Sequence, residues 1–139
     1  MLDTGGKDCG MTGYTIRNLK EVEDSAVKFG LSPQMESRFA RTDLGAETLG
    51  LSYQRLAPSV RQPFGHRHEH QEEVYVVLSG GGRVSFDHEV VELRPWDAVR
   101  VAAETTRCFE AGPDGLELLA FGAHTVSTDV ETVQGFWAS

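Results

Sequence analysis

Beyond residue 47 apolar and polar residues alternate along the chain, the period of a strand with one face buried. Over residues 48–56, Leu49, Leu51, Tyr53 and Arg55 fall on one face and Thr48, Gly50, Ser52, Gln54 and Leu56 on the other. Pro58 ends that run. Residues 73–78 are valine-rich, and Ser79-Gly80-Gly81-Gly82 after them reads as a turn. Residues 83–86 and 89–93 flank Asp87-His88, the two-residue spacing of a tight hairpin. Residues 97–101 follow Pro95, residues 107–110 precede a predicted turn at Gly112-Pro113-Asp114-Gly115, and residues 116–123 form a last apolar strand. Short strands parted by turn residues predict an all-β sandwich or barrel, and the loss of helical period excludes alternating βαβ units.

The first third reads differently. Residues 1–13 are glycine-rich and without period, and they are expected to be a disordered lead-in. Tyr14-Thr15-Ile16 suits a first strand. Residues 21–29 look loosely helical and are closed by Gly30 and Pro33. The expected organisation is one domain over 14–139, with its β core at 47–123.

Composition narrows the function. At 139 residues and 15.3 kDa the chain is one domain's worth. Its net charge of −8 disfavours a nucleic-acid partner, because an acidic surface repels the phosphate backbone. Two cysteines, Cys9 and Cys108, give no disulfide framework. The longest bulky apolar run, Val74-Tyr75-Val76-Val77-Leu78, is far short of the roughly 20 residues that span a membrane. No apolar signal segment opens the chain. These features predict a soluble, single-domain, cytoplasmic protein.

The chemistry concentrates in His66-Arg67-His68-Glu69-His70-Gln71-Glu72-Glu73. On a strand, His66 and His68 point the same way, and Glu73 opens the next strand beside them. Two neutral imidazoles and a carboxylate form a facial set of ligands for Fe, Mn, Ni, Cu or Zn, with positions left open for water or substrate.

These residues resemble the cupin superfamily. Its first motif is G-x5-H-x-H-x3,4-E-x6-G. His66, His68, Glu73 and Gly80 fill it, and Val60 stands at the leading glycine. The resemblance implies a double-stranded β-helix, a jelly-roll barrel with the site inside, and it implies a homodimer. Val74, Val76 and Leu78 add to the dimer expectation, because a strand apolar on both faces wants cover on both. The second motif, G-x5-P-x-G-x2-H-x3-N, falls on Trp96, Ala102, Glu104, Arg107 and Ala111, with no match. Its histidine is usually the fourth metal ligand, and a guanidinium has no lone pair to take that role.

Two readings of Arg107 stand at this stage. It pairs with Glu73 and replaces the metal, or it is a fork for an anionic substrate beside a three-ligand metal. Arg107, Tyr75, Phe109 and Tyr53 are the expected pocket residues. His70 and His88 are expected in solvent, His124 follows the last strand as a lesser candidate for the pocket, and Cys108 is expected in the core. Phe136 and Trp137 read as anchors for a docked C-terminus or a dimer contact. The functional expectation is a small cupin holding a divalent first-row metal and an anionic molecule, of the oxygenase or isomerase kind. The alternatives are a metal-free binding or sensing module built on a Glu73–Arg107 ion pair, and a dimeric scaffold with a vestigial pocket that takes no cofactor.

Overall fold

The computed structural model describes residues 13–123 and 130–137, with the backbone of 6–8. Ten strands and two short helices follow in order: β1 (Gly6–Asp8), β2 (Thr15–Arg17), α1 (Ser25–Lys28), β3 (Met35–Phe39), α2 (Arg41–Leu44), β4 (Leu49–Leu56), β5 (Phe64–His68), β6 (Glu73–Ser85), β7 (Val90–Leu93), β8 (Ala98–Val101), β9 (Cys108–Ala123) and β10 (Val130–Gln134). The pairings are antiparallel. The strand order β3-β4-β9-β6-β7, with β8 also on β6, is that of an all-β jelly roll.

Two long strands carry the barrel. β6 pairs with β9 along most of its length, while its first half also pairs with β8 and its second half with β7. Ser79-Gly80-Gly81-Gly82 is therefore not the expected turn. β6 continues through it, with register shifts at Val77/Ser79 and Gly80/Gly82. Opposite these, β9 also continues, and the expected turn at 112–115 is a bulge in which Ala111 and Leu116 face Gly82 and Gly80. Bulges bend both strands together, and glycine is required at the bend. Gly80 has φ +74, and a Cβ there would lie 2.0 Å from the Gly115 carbonyl oxygen. At Gly82 a Cβ would lie 2.0 Å from the Glu110 carbonyl oxygen.

Inside the bend, alternate residues form the core: Tyr75, Val77, Val84, Phe109, Leu116 and Leu118 are buried among others. The hairpin at Asp87-His88 is present, closed by the Phe86 N–H on the Glu89 carbonyl at 2.8 Å. β3 and α2 were not legible in the pattern. The expected helix at 21–29 shrinks to a 3-10 turn at Leu19–Glu21 and to α1, capped by Asp24, whose side chain accepts from the Ala26 N–H. Of residues 1–13, only Gly6–Asp8 and Gly13 are described, and the three-residue strand pairs with β2. The rest of that expectation, with Cys9 and His124, lies outside the described residues.

Candidate metal centre

β5 ends in His66 and His68, and a two-way bond joins it to the chain just before β9. The His66 N–H donates to the Arg107 carbonyl and the Arg107 N–H to the His66 carbonyl, both at 3.0 Å. The His68 N–H donates to the Ala103 carbonyl at 2.8 Å. Residues directly paired across antiparallel strands share a face, so Arg107 and His66 enter the barrel side by side. From the other sheet, β6 begins with Glu73 and brings Tyr75 in on the same face.

These side chains converge on one carboxylate oxygen. Glu73 Oε1 lies 3.4 Å from Nε2 of His66 and 3.4 Å from Nε2 of His68. The two imidazoles stand edge to face, centroids 5.2 Å apart. Among the described residues, this trio alone forms a histidine, cysteine and acid group able to hold an ion, its ligand atoms all within 4.8 Å. The two carboxylate–imidazole separations fit a first-row cation. Bonds of about 2.1 Å give neighbouring ligand atoms roughly 3.0 Å apart in an octahedron and roughly 3.4 Å apart in a tetrahedron.

The same oxygen has protein partners. Arg107 Nη2 donates to it at 2.9 Å and the Tyr75 hydroxyl at 2.5 Å. Arg107 Nε donates to the Tyr75 oxygen at 3.1 Å, and Nη1 donates to the Thr105 carbonyl at 2.7 Å. Arg107 has 0% exposure, so it is a buried counter-ion and not an open fork for substrate. Burial alone would raise the Glu73 pKa, but hydrogen bonds from His66, His68 and Tyr75 outweigh it and hold the carboxyl well below its usual range. Burial, followed by the Glu73 charge, pushes the Tyr75 hydroxyl far above its ordinary value. Glu73 is an anion and Tyr75 a neutral donor at any physiological pH.

The other expected residues separate. Phe109 packs behind Tyr75, centroids 4.8 Å apart, within the core. Tyr53 does not join the pocket. It sits on the outward face of β4, where its hydroxyl donates to Glu117 at 2.5 Å and Lys20 lies 4.8 Å above its ring. The register explains this: Leu56, three pairs along β4 and so on the alternate face, is the one that enters the core. His70 and His88 are exposed. Cys108 is buried, as alternation from Arg107 predicts, and burial pushes its thiol up to about 11. One contact was missed by sequence reasoning. Gln71 Nε2 donates to Glu73 Oε2 at 3.1 Å, in space left by Gly122, where a Cβ would come within 2.6 Å of it. The i−2 spacing from Glu73 was the available signal. A surface cleft of about 440 Å³ lies at the glycine bend, and none of the three candidate ligands lines it.

Residues 52–121 match the family described as the cupin domain. The chain belongs to the cupin family. Solved structures agree on the fold. A cupin protein from Bacteroides fragilis is 23% identical, with 84% of this chain and 89% of that one covered at TM-score 0.66. A polyketide cyclase from Streptomyces resistomycificus is 20% identical, with 86% and 83% covered at TM-score 0.68. A salicylate 1,2-dioxygenase from Pseudaminobacter salicylatoxidans is 18% identical, with 79% and 34% covered at TM-score 0.62. No curated protein matches the chain. No helix among the described residues of this cupin is long and apolar enough to cross a membrane.

Proposed function

We propose that this cupin holds one divalent first-row metal on His66, His68 and Glu73 and presents it to a small anionic molecule in the barrel. The observation that carries this reading is the convergence of both Nε2 atoms on Glu73 Oε1 at 3.4 Å. When bound, such an ion supplies a Lewis acid that polarises an oxygen of the bound molecule. The protein's own groups set the charge around it. Arg107 cancels the charge of Glu73, so the cation's two positive charges stay uncompensated by protein, which favours an anionic ligand. Tyr75 and Gln71 fix the carboxylate from its two oxygens, so its orientation is set before any ion arrives. Chemistry of the oxygenase or isomerase kind fits this arrangement, and neighbours in fold include proteins named as a dioxygenase and a cyclase.

A second reading, a metal-free binding module, is favoured by one observation: Arg107 and Tyr75 already occupy the oxygen that faces the histidines. Metal analysis of protein purified without chelator, followed by titration of wild type, His68→Ala and Arg107→His, separates the two. The metal reading expects one ion per chain, loss of binding in His68→Ala, and tighter binding in Arg107→His. A wild type that binds no ion, with His68→Ala unchanged, leaves the ion-pair module.

We also place the protein in the cytoplasm as a homodimer. The outer sheet face supports the second point: it carries Leu51, Leu119, Val74 and Val76, with Leu49 and Phe121 exposed. Light scattering at micromolar concentration that gives a mass near 15.3 kDa overturns it.

A further inference from the structure

β10 pairs along the outer edge of β5, the strand that bears both histidines. Thr132 is directly opposite His66, and Val130 is directly opposite His68. On the other side of β5, His66 is paired with Arg107. Arg107, His66 and Thr132 therefore form one row across the sheet. Directly paired residues share a face, and His66 and Arg107 both reach Glu73, so the row faces the barrel interior. Thr132 and Val130 belong to that face, and both are exposed, at the open side of the site and not in the packed core.

The opposite face of β10 holds it there. Glu131 is paired with Arg67, and the two form an ion pair at 2.5 Å. Phe136 packs on Gly65, where an added Cβ would come within 3.1 Å of it. Trp137 lies under two guanidinium groups, with Arg61 at 4.3 Å and Arg83 at 5.2 Å from its ring centroid, and Arg61 Nη1 also donates to its carbonyl. Glu110 accepts from both arginines, so the aromatic end of the strap rests on a fixed base. One face is a latch, and the other carries a short hydroxyl and a small apolar side chain beside the two imidazoles.

We propose that β10 is the entrance wall of the site and that Thr132 and Val130 set the size and polarity of the molecule that reaches His66 and His68. This deepens the proposed site, since it names what borders the open side. A threonine and a valine admit a small ligand with an apolar edge and one polar group, and a bulkier pair would close the approach. Thr132 is thus a specificity-determining residue, contributed by a strand more than 60 positions away from the histidines in sequence.

The test needs neither the metal nor the natural ligand. In metal-free protein, diethyl pyrocarbonate acylates accessible neutral imidazoles, and mass spectrometry reads His66 separately, with exposed His88 as the internal control. Thr132→Trp and Val130→Trp are expected to slow modification of His66, the more exposed of the two imidazoles, several-fold relative to His88. Lys28→Trp, on the exposed side of α1 and away from β10, is expected to leave the ratio unchanged. If both inward variants fold and neither shields His66, or if Lys28→Trp shields it equally, the inference is overturned. Shielding by the inward variants in a protein whose wild type binds no metal would sink the metal reading and leave this one standing. Metal binding without shielding would do the reverse.

Discussion

Arg107 donates to Glu73 at 2.9 Å from a position with no solvent exposure, and the pair replaces the second motif's histidine by a fixed positive charge. A desolvated charge is tolerable only while its partner remains. Glu73→Gln should strand the guanidinium, and Arg107→Met should strand the carboxylate, each costing about 3–5 kcal/mol. The double variant removes both charges and is expected to recover much of either loss, since the desolvation cost disappears with the ion pair. Urea unfolding of the four proteins checks this. Additive losses would mean that the two side chains do not act as a unit.

How much of this was legible in the sequence follows from what each feature depends on. His66, His68 and Glu73 could be placed together because i, i+2 spacing on a strand is a local rule. The inward direction of Arg107 followed from its motif position, but its saturation did not, because that depends on Tyr75 and the carbonyls of Ala103 and Thr105. The glycine runs at 80–82 and 112–115 were read as chain reversals, since a turn and a bend both ask for glycine. Only the pairing of β6 with β9 separates them. Tyr53 was put on the wrong side because β4 is half-buried on both faces, so alternation did not say which face was the interior. β10 closed on β5 through a contact across more than 60 residues, and nothing local announces that.

The bend yields a second prediction. Gly80 combines a left-handed φ of +74 with no space for a side chain, its would-be Cβ 2.0 Å from backbone at Gly115. Backbone on both sides cannot give way as a flexible side chain would. Gly80→Ala is expected to destabilise by several kcal/mol, on the order of 3 or more, through combined strain and overlap. Gly13→Ala carries a φ of +86 with nothing within 4 Å, and serves as the strain-only control, expected to cost about 1 kcal/mol. Equal thermal midpoints for the two variants would show that the overlap at Gly80 is relieved by movement of β9.

Trp96 provides the converse case. It stands where the second motif has glycine, and it takes the left-handed φ of 73 that glycine favours. The turn is fixed around it: the Asp97 N–H donates to the Arg94 carbonyl at 3.1 Å, and Asp97 Oδ2 accepts from the Arg94 N–H at 3.0 Å. Its side chain is 76% exposed, so little burial offsets the strain. Trp96→Gly is expected to stabilise the monomer fold by about 0.5–1 kcal/mol, net of glycine's greater unfolded-state entropy. A drop in the urea midpoint would mean that the indole is held by a contact outside this chain's own fold, such as the dimer face.

The last prediction concerns acid. On the outer face, away from the candidate metal centre, Glu36 Oε2 accepts from Lys20 at 2.5 Å and Arg38 at 2.6 Å, and its Oε1 accepts from Arg55 at 2.9 Å. Burial alone would raise its pKa, but the three cations outweigh it and lower it from 4.5 to about 2. A carboxyl depressed in the folded state contributes stability that is fully present above its unfolded value and is lost as pH falls toward its folded value. The window is therefore pH 4.5 down to about 2. A shift of this size corresponds to about 3 kcal/mol. In Glu36→Gln this contribution is absent at every pH. The variant should be less stable than wild type at pH 7, and the gap should narrow steadily below pH 4.5 as wild type becomes protonated. Urea midpoints of both proteins measured from pH 7 to pH 2 read the gap directly. Glu73, Glu110 and Glu117 are also depressed, so both proteins lose stability in acid. Only the difference between the two curves belongs to Glu36, and parallel curves across the window would show that the three cations do not hold its proton off.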